Sequence, residues 1–141
     1  MIGSAIHPLL GPKHVLGHAL IDADHAAIAD AWLRAVSCEP IQFPFLIARL
    51  RKLMRVHFDN EARLMQSAGG ALCECHLNEH RALLGLCDRA AARGHDEWPR
   101  AQSLLRSRLP KMVRSHIARM DQIAVLFINA SGKACDCGVS F

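Results

Sequence analysis

The sequence predicts an all-α protein folded as an antiparallel up-down-up-down four-helix bundle. Three observations lead there. Apolar residues recur at three- and four-residue steps along four long segments, with no competing alternation of the β type. The chain is 51% hydrophobic, yet it holds five phenylalanines, two tryptophans and no tyrosine. Its core must therefore be built from aliphatic residues and alanine, which suit helices better than sheets. Short breaks carrying proline or glycine separate the segments, and four helices joined by short loops pack most simply as sequential neighbours.

The first segment runs from about Ala19 to Val36, with Ile21, His25, Ile28, Ala29 and Trp32 on one face. Glu39-Pro40 ends it, because the residue before a proline resists helical geometry. The second covers about Phe43 to Ser67, with Leu46, Leu50, Leu53, His57, Glu61 and Leu64 along one stripe. Gly69-Gly70 closes it, since glycine readily takes the left-handed cap conformation. The third covers about Leu72 to Arg93 and turns Leu72, His76, His80, Leu83, Leu84 and Cys87 one way before Gly94 stops it. The fourth spans about Trp98 to Asn129. Pro99 suits its first turn, Pro110 predicts a kink or restart, and Ser131-Gly132 marks its end.

At 141 residues the chain is long enough for one domain with a single core. The domain is expected over residues 1–133, followed by a short Cys-containing C-terminal tail over 134–141. The net charge is +4, and cations such as Arg49, Arg51, Arg55 and Arg63 are dispersed rather than gathered into a stripe. They read as solvated helix faces, and nucleic acid is not an expected partner. No apolar run approaches the ~20 residues that cross a bilayer, so no membrane partner is expected. Met1 to Gly11 lacks the pattern of a signal peptide. A cytoplasmic location is the expectation, with the six cysteines mostly reduced.

The chemistry lies in the nine histidines. Five fall on the predicted inward faces of all four helices: His25, then His57 with Glu61 a turn later, then His76 and His80 a turn apart, then His116 followed by Asp121. Residues four apart share a helix face, with Cβ atoms about 5–6 Å apart. His116 and Asp121 are five apart, about 140° of rotation on an ideal helix. Both reach a central site only if Asp121 extends sideways or the helix widens locally. Any one such histidine alone reads as ordinary core. Seven inward polar side chains without a metal would leave many buried groups to pair with each other, at about 1–3 kcal/mol for each left unsatisfied.

Imidazole and carboxylate ligands suit iron, zinc, copper or nickel, but seven ligands are too many for one tetrahedral zinc. Two metals fit better. If Glu61 and Asp121 bridge them together with a solvent-derived oxygen, the histidines divide three and two. One metal is then coordinatively full and the other keeps an open position.

The stretches Ile21-Asp22-Ala23-Asp24-His25, His57-Phe58-Asp59-Asn60-Glu61, His76-Leu77-Asn78-Glu79-His80 and His116-Ile117-Ala118-Arg119-Met120-Asp121 resemble the hemerythrin family, most closely its bacterial members. Leu16-Gly17 and Leu64-Met65 resemble it too, and the similarity spans roughly Val15 to Asn129. The resemblance implies two iron ions with a bridging oxo or hydroxo group. His76, His80 and His116 would hold the full iron, His25 and His57 the open one, and Glu61 and Asp121 would be the bridges. It also implies dioxygen as the ligand and partner, bound reversibly for storage, transport or delivery. Ile28, Phe58, Val113 and Ile117 are candidates for an apolar pocket wall or for plain core. The chain departs from the family pattern in lacking a tryptophan before Val15 and in carrying Met112 and Pro110 near His116. These departures bear on pocket size and gating.

An oxygen-binding protein is favoured over an enzyme, because no acid beyond the bridges offers itself as a proton donor. The alternatives are a di-iron peroxidase or nitric-oxide/oxygen scavenger, and an oxygen or redox sensor acting through a partner. His7, His14, His18 and His95 read as surface or loop residues. Asp22 and Asp24 can accept the second ring N–H of His25 or solvate the helix start. Cys73, Cys75, Cys135 and Cys137 can form a four-thiolate site or a redox disulfide if the tail folds back, or remain plain thiols.

Overall fold

The structure is a computed structural model that describes residues 7–93 and 95–139, without the side chains of residues 95 and 132–139. Its helices are α1 (Ala19–Ser37), α2 (Phe43–Ser67), α3 (Glu74–Ala91), α4 (Trp98–His116) and α5 (Gln122–Val139). A five-residue π turn, Ile117–Asp121, joins α4 to α5 as one rod. Four rods therefore pack in a closed ring, α1 on α2, α2 on α3, α3 on α4 and α4 on α1. This is the all-α bundle that the periodicity predicts.

Local chemistry sets the helix ends. Asp22, in the first turn of α1, accepts from the backbone amides of Leu16, Gly17 and His18 at 2.8, 3.0 and 3.2 Å. A carboxylate at that end also complements the helix dipole. The last carbonyls of α1 have no partner within the helix. Gln102 donates to those of Ala35 and Cys38 at 2.9 and 3.0 Å, and Arg106 donates to that of Val36 at 2.6 Å. At the end of α2, Gly69 has φ +87°. The Gly70 amide donates to the Met65 carbonyl at 2.9 Å and the Gly69 amide to the Gln66 carbonyl at 3.0 Å. These two bonds form the Schellman motif. A Cβ on Gly70 would stand 2.7 Å from the Phe127 ring.

Two boundaries differ from expectation. Helix α4 runs unbroken through Pro110, which is buried against the bundle. Helix α5 runs past Ser131-Gly132 to Val139. A lone interior glycine costs only about 1 kcal/mol, and no proline follows to force a stop. In α2, Ile47, Met54 and Met65 are buried, whereas Leu46, Leu53 and Leu64 lie half-buried at the margin.

The core has two apolar clusters. The larger includes Trp32, Leu50, Met54, Leu86, Leu105 and Val113. The smaller holds Ile21, Met65, Ala124, Val125 and Ile128. Between them, one turn from each, lies a layer of buried polar side chains: His25, His57, Glu61, His76, His80, His116 and Asp121. Among the described residues, no helix is long and apolar enough to cross a membrane.

Leu105 is fully buried, and its carbonyl accepts from the Trp32 ring N–H at 3.0 Å. Leu105→Ala is expected to destabilise the chain by about 2–5 kcal/mol. Urea unfolding checks this as a lower midpoint at unchanged slope; an unchanged midpoint would contradict the packing.

Candidate metal centre

The four rods bring all seven sequence-predicted site residues together. His25 comes from α1, His57 and Glu61 from α2, His76 and His80 from α3, and His116 and Asp121 from either end of the π turn. In that turn the Gln122 amide donates to the Ile117 carbonyl, five residues back. The wider turn carries Asp121 round to the face of His116, the second of the two arrangements that their five-residue spacing left open.

Within the layer, each carboxylate divides its oxygens between two sets of histidines. Asp121 Oδ1 lies 3.1 Å from His76 Nε2 and 2.9 Å from His116 Nε2. Its Oδ2 lies 2.9 Å from His25 Nε2 and 3.9 Å from His57 Nε2. Glu61 Oε1 lies 2.6 Å from His76 Nε2 and 3.2 Å from His80 Nε2, and its Oε2 is 4.0 Å from His57 Nε2. The ligand atoms of Glu61, His76, His80, His116 and Asp121 form one compact group, and those of His25, His57 and Asp121 a second.

Asp121 accepts hydrogen bonds from His25 and His76 at 2.9 and 3.1 Å, but much of the layer is close without being aligned for hydrogen bonding. Both oxygens of Glu61, which is fully buried, and the Nε2 atoms of His80 and His116 lack a hydrogen-bond partner in the described structure. Lone pairs from acceptors and imidazoles thus converge on shared space. That arrangement fits cations, and the nitrogen and oxygen donor set fits first-row transition metals.

A second ring of residues orients the histidines. His57 Nδ1 donates to Asp24 Oδ2 at 3.0 Å, and Asn60 donates to the same oxygen at 3.1 Å. His116 Nδ1 donates to Glu79 Oε1 at 2.9 Å, and Arg119 donates to Glu79 Oε2 at 2.9 Å. A carboxylate can only accept, so each bond puts the ring proton on Nδ1 and aims the Nε2 lone pair at the centre. Asp24 thus serves His57 rather than its neighbour His25, because it projects from α1 toward α2. Asp22 serves the helix start. Sequence reasoning missed Glu79, Asn60 and Arg119. Glu79 sits inside the His76-x-x-x-His80 motif, but its partner is 37 residues away. Phe58 also stacks on His80, with ring centroids 3.8 Å apart.

Without metal, the layer balances its charge with protons. Burial raises the Asp121 carboxyl, but the imidazoles of His116, His25, His57 and His76 gathered around it outweigh that and hold the group well below its usual range. Burial lowers His76, yet Asp121 and Glu61 overcome it and raise its pKa to about 9. His57 is also raised against its burial, by Asp121, Glu61 and Asp24. In His80 burial wins, and its pKa falls.

A cavity of ≈ 20 Å³, counted as space for the centre of a water-sized molecule, opens beside His25, His57, His116 and Asp121. That is room for about one such molecule. Ile28, Phe58, Val113 and Ile117, the predicted wall candidates, line it together with Leu10, Met54 and Leu83. Met112 lies in an outer groove with Lys111 and Arg119 instead.

The remaining histidines divide. His14 is buried, contrary to the surface position expected of it, because its Nδ1 accepts from the Gly11 amide at 2.8 Å. His7 is half-buried, and His18 caps α1. The His95 side chain lies outside the described residues. Cys73 caps α3 through its sulfur, 3.4 Å from the His76 amide nitrogen, and Cys75 is exposed. The side chains of Cys135 and Cys137 lie outside the described residues, and with them the four-thiolate and disulfide readings. Cys87 is buried, and that burial pushes its thiol up to about 12.

Compared with known proteins, the sequence matches the family described as hemerythrin HHE cation binding domain over residues 16–126, a span that includes all seven residues of the layer. It is 27% identical over 117 residues to a protein named Bacteriohemerythrin from Ralstonia nicotianae, covering 83% of this chain and 85% of that protein. No solved structure matches it.

Two expectations follow. Glu79→Ala frees the His116 ring, so metal affinity should fall about 10–100-fold. Chelator competition measures this, and an unchanged affinity would dismiss the orienting role. Between pH 7 and 8, below the His76 value of about 9, metal binding must displace a histidine proton. Calorimetric titration in buffers of different ionisation heat should register proton release that fades as the pH rises through that value. Binding heats independent of the buffer would contradict the protonation assigned to the layer.

Proposed function

The chain belongs to the hemerythrin family, and from that membership and the geometry of the buried layer we propose that it binds dioxygen reversibly at a non-haem di-iron centre. In this reading His76, His80 and His116 hold one iron, His25 and His57 hold the other, and Glu61 and Asp121 bridge them. The division of each carboxylate's oxygens between the trio and the pair supports the assignment. A pair of ferrous ions, when bound, would supply the electrons that dioxygen accepts on binding and returns on release.

The observation that carries the reading is the position of the small cavity. It opens against His25 and His57, the side with fewer histidines, and its wall includes neither His76 nor His80. A metal held there by two imidazoles and shared carboxylates has a position left for a small ligand, and the space beside it is that small. Ile28, Phe58, Val113 and Ile117 keep bulk water away. The polar residues on the cavity wall are His25, His57, His116 and Asp121, all members of the proposed ligand set. Among the described residues, the wall therefore supplies no separate acid to deliver a proton, which favours holding a ligand over turning it over. Five neutral imidazoles also donate less charge than the carboxylate-rich sets of ferritin-like di-iron proteins, which favours returning dioxygen intact.

Elemental analysis and an optical spectrum of the reduced protein before and after exposure to air test this. Two irons per chain are expected, with a visible ligand-to-metal band that appears in air and disappears under vacuum. Less than one iron per chain, or zinc alone, would sink the di-iron assignment. Two irons with irreversible oxidation and steady loss of added peroxide would replace oxygen binding by an enzymatic role.

A further inference from the structure

A second cavity, of ≈ 230 Å³ by the same measure, lies outside the first and is lined by His7, Leu10, His14, Asp22, His25 and Asp30 among others. The two cavities share two wall residues, Leu10 and His25. His25 is pinned from the inside, its Nε2 facing Asp121 and His57. Leu10 belongs to no helix. It sits on the segment that crosses the bundle before α1, packed against the core but only partly buried.

That segment is fastened on either side of Leu10. Arg114 Nε, from α4, donates to the Leu9 carbonyl at 2.8 Å, and its Nη2 donates to the Pro8 carbonyl. Leu9 itself is buried in the core. Beyond Leu10, the Gly11 amide donates to His14 Nδ1 at 2.8 Å, and Asp22 holds the amides of residues 16–18. The Leu10 side chain is thus a movable partition in an otherwise anchored strap, standing between an outer chamber and the small cavity beside His25 and His57.

We propose that small ligands reach the inner cavity from the outer one past Leu10, and that the Arg114 clamp on the strap sets how often the way opens. The inference rests on the reading of the inner cavity as the ligand site. A partition of this kind governs rates. It touches neither bound nor free ligand preferentially, so its removal speeds arrival and departure together and leaves affinity nearly unchanged. A residue in contact with the bound ligand does the opposite and alters affinity.

Stopped-flow binding of azide, a small linear anion, to the iron-loaded full chain separates these cases. Leu10→Ala and Arg114→Gln are expected to raise the association and dissociation rate constants together by about tenfold, the effect of lowering a barrier by about 1.4 kcal/mol, while Leu10→Phe lowers both. In the metal-free protein Arg114→Gln should also raise amide hydrogen exchange across residues 9–16 while the centres of α2 and α3 stay protected. An altered affinity at an unchanged association rate makes Leu10 part of the ligand site and overturns the proposal, as do rates indifferent to all three substitutions. Failure of the iron-loaded wild type to bind azide at all would overturn the ligand-site reading, and the partition with it.

Discussion

The burial of two carboxylates in the middle of the bundle constrains everything around them. Glu61 is 0% and Asp121 1% exposed, and both lie between apolar clusters that keep the local dielectric low. Removing one such charge from water costs several kcal/mol even after relaxation. The layer can exist only with compensating positive charge. A proton on His76, whose pKa is raised to about 9, provides some of it in the metal-free chain; metal ions would provide it more completely. The same constraint explains why the five imidazoles point inward from four different rods. No single helix face presents enough of them at the right height.

Much of this was legible in the sequence because the bundle repeats a simple period. Apolar residues at three- and four-residue steps marked the rods, and the site residues appeared as polar interruptions of the same stripes. The five-residue gap from His116 to Asp121 even signalled an irregularity, either a sideways reach of Asp121 or a widened turn, and the structure has the widened turn. Long-range partners were not legible. Asp24 orients His57 from another helix, and Glu79 orients His116 across the α3–α4 seam; periodicity records which face a residue takes, not which neighbour it meets. The burial of His14 was hidden for a related reason, since a single three-residue 3-10 turn is too short to show a period. The continuation of α5 past Ser131-Gly132 shows the weakness of a glycine as a stop signal when no proline follows to enforce it.

Asymmetry enters through the outer ring. His116 is backed by Glu79, which is itself held by Arg119, and its own ionisation is secured by both. On the other side His57 is backed by Asp24 and Asn60, while His25 Nδ1 has no hydrogen-bond partner in the described structure. The trio side is therefore braced and closed, with Phe58 stacked on His80. The pair side is less constrained and faces the cavity. A site built this way presents one rigid half and one half able to accommodate a change in ligand.

Where access can lie follows from the packing itself. The rods are interlocked by close-packed aliphatic side chains, and parting them would expose apolar core together with the buried carboxylates. Opening a path between helices is thus the most costly route to the layer. The segment ahead of α1 is different. It covers the pair side with one side chain, and is held down by Leu9, which is buried in the core, and by a few hydrogen bonds made by Arg114, His14 and Asp22. Releasing one buried leucine and a few part-buried hydrogen bonds costs less than parting the core, because the backbone groups set free can bond to water. The chain thus keeps its costly charges sealed by the helices and leaves the covering of the cavity to the one described segment that can move without unfolding them.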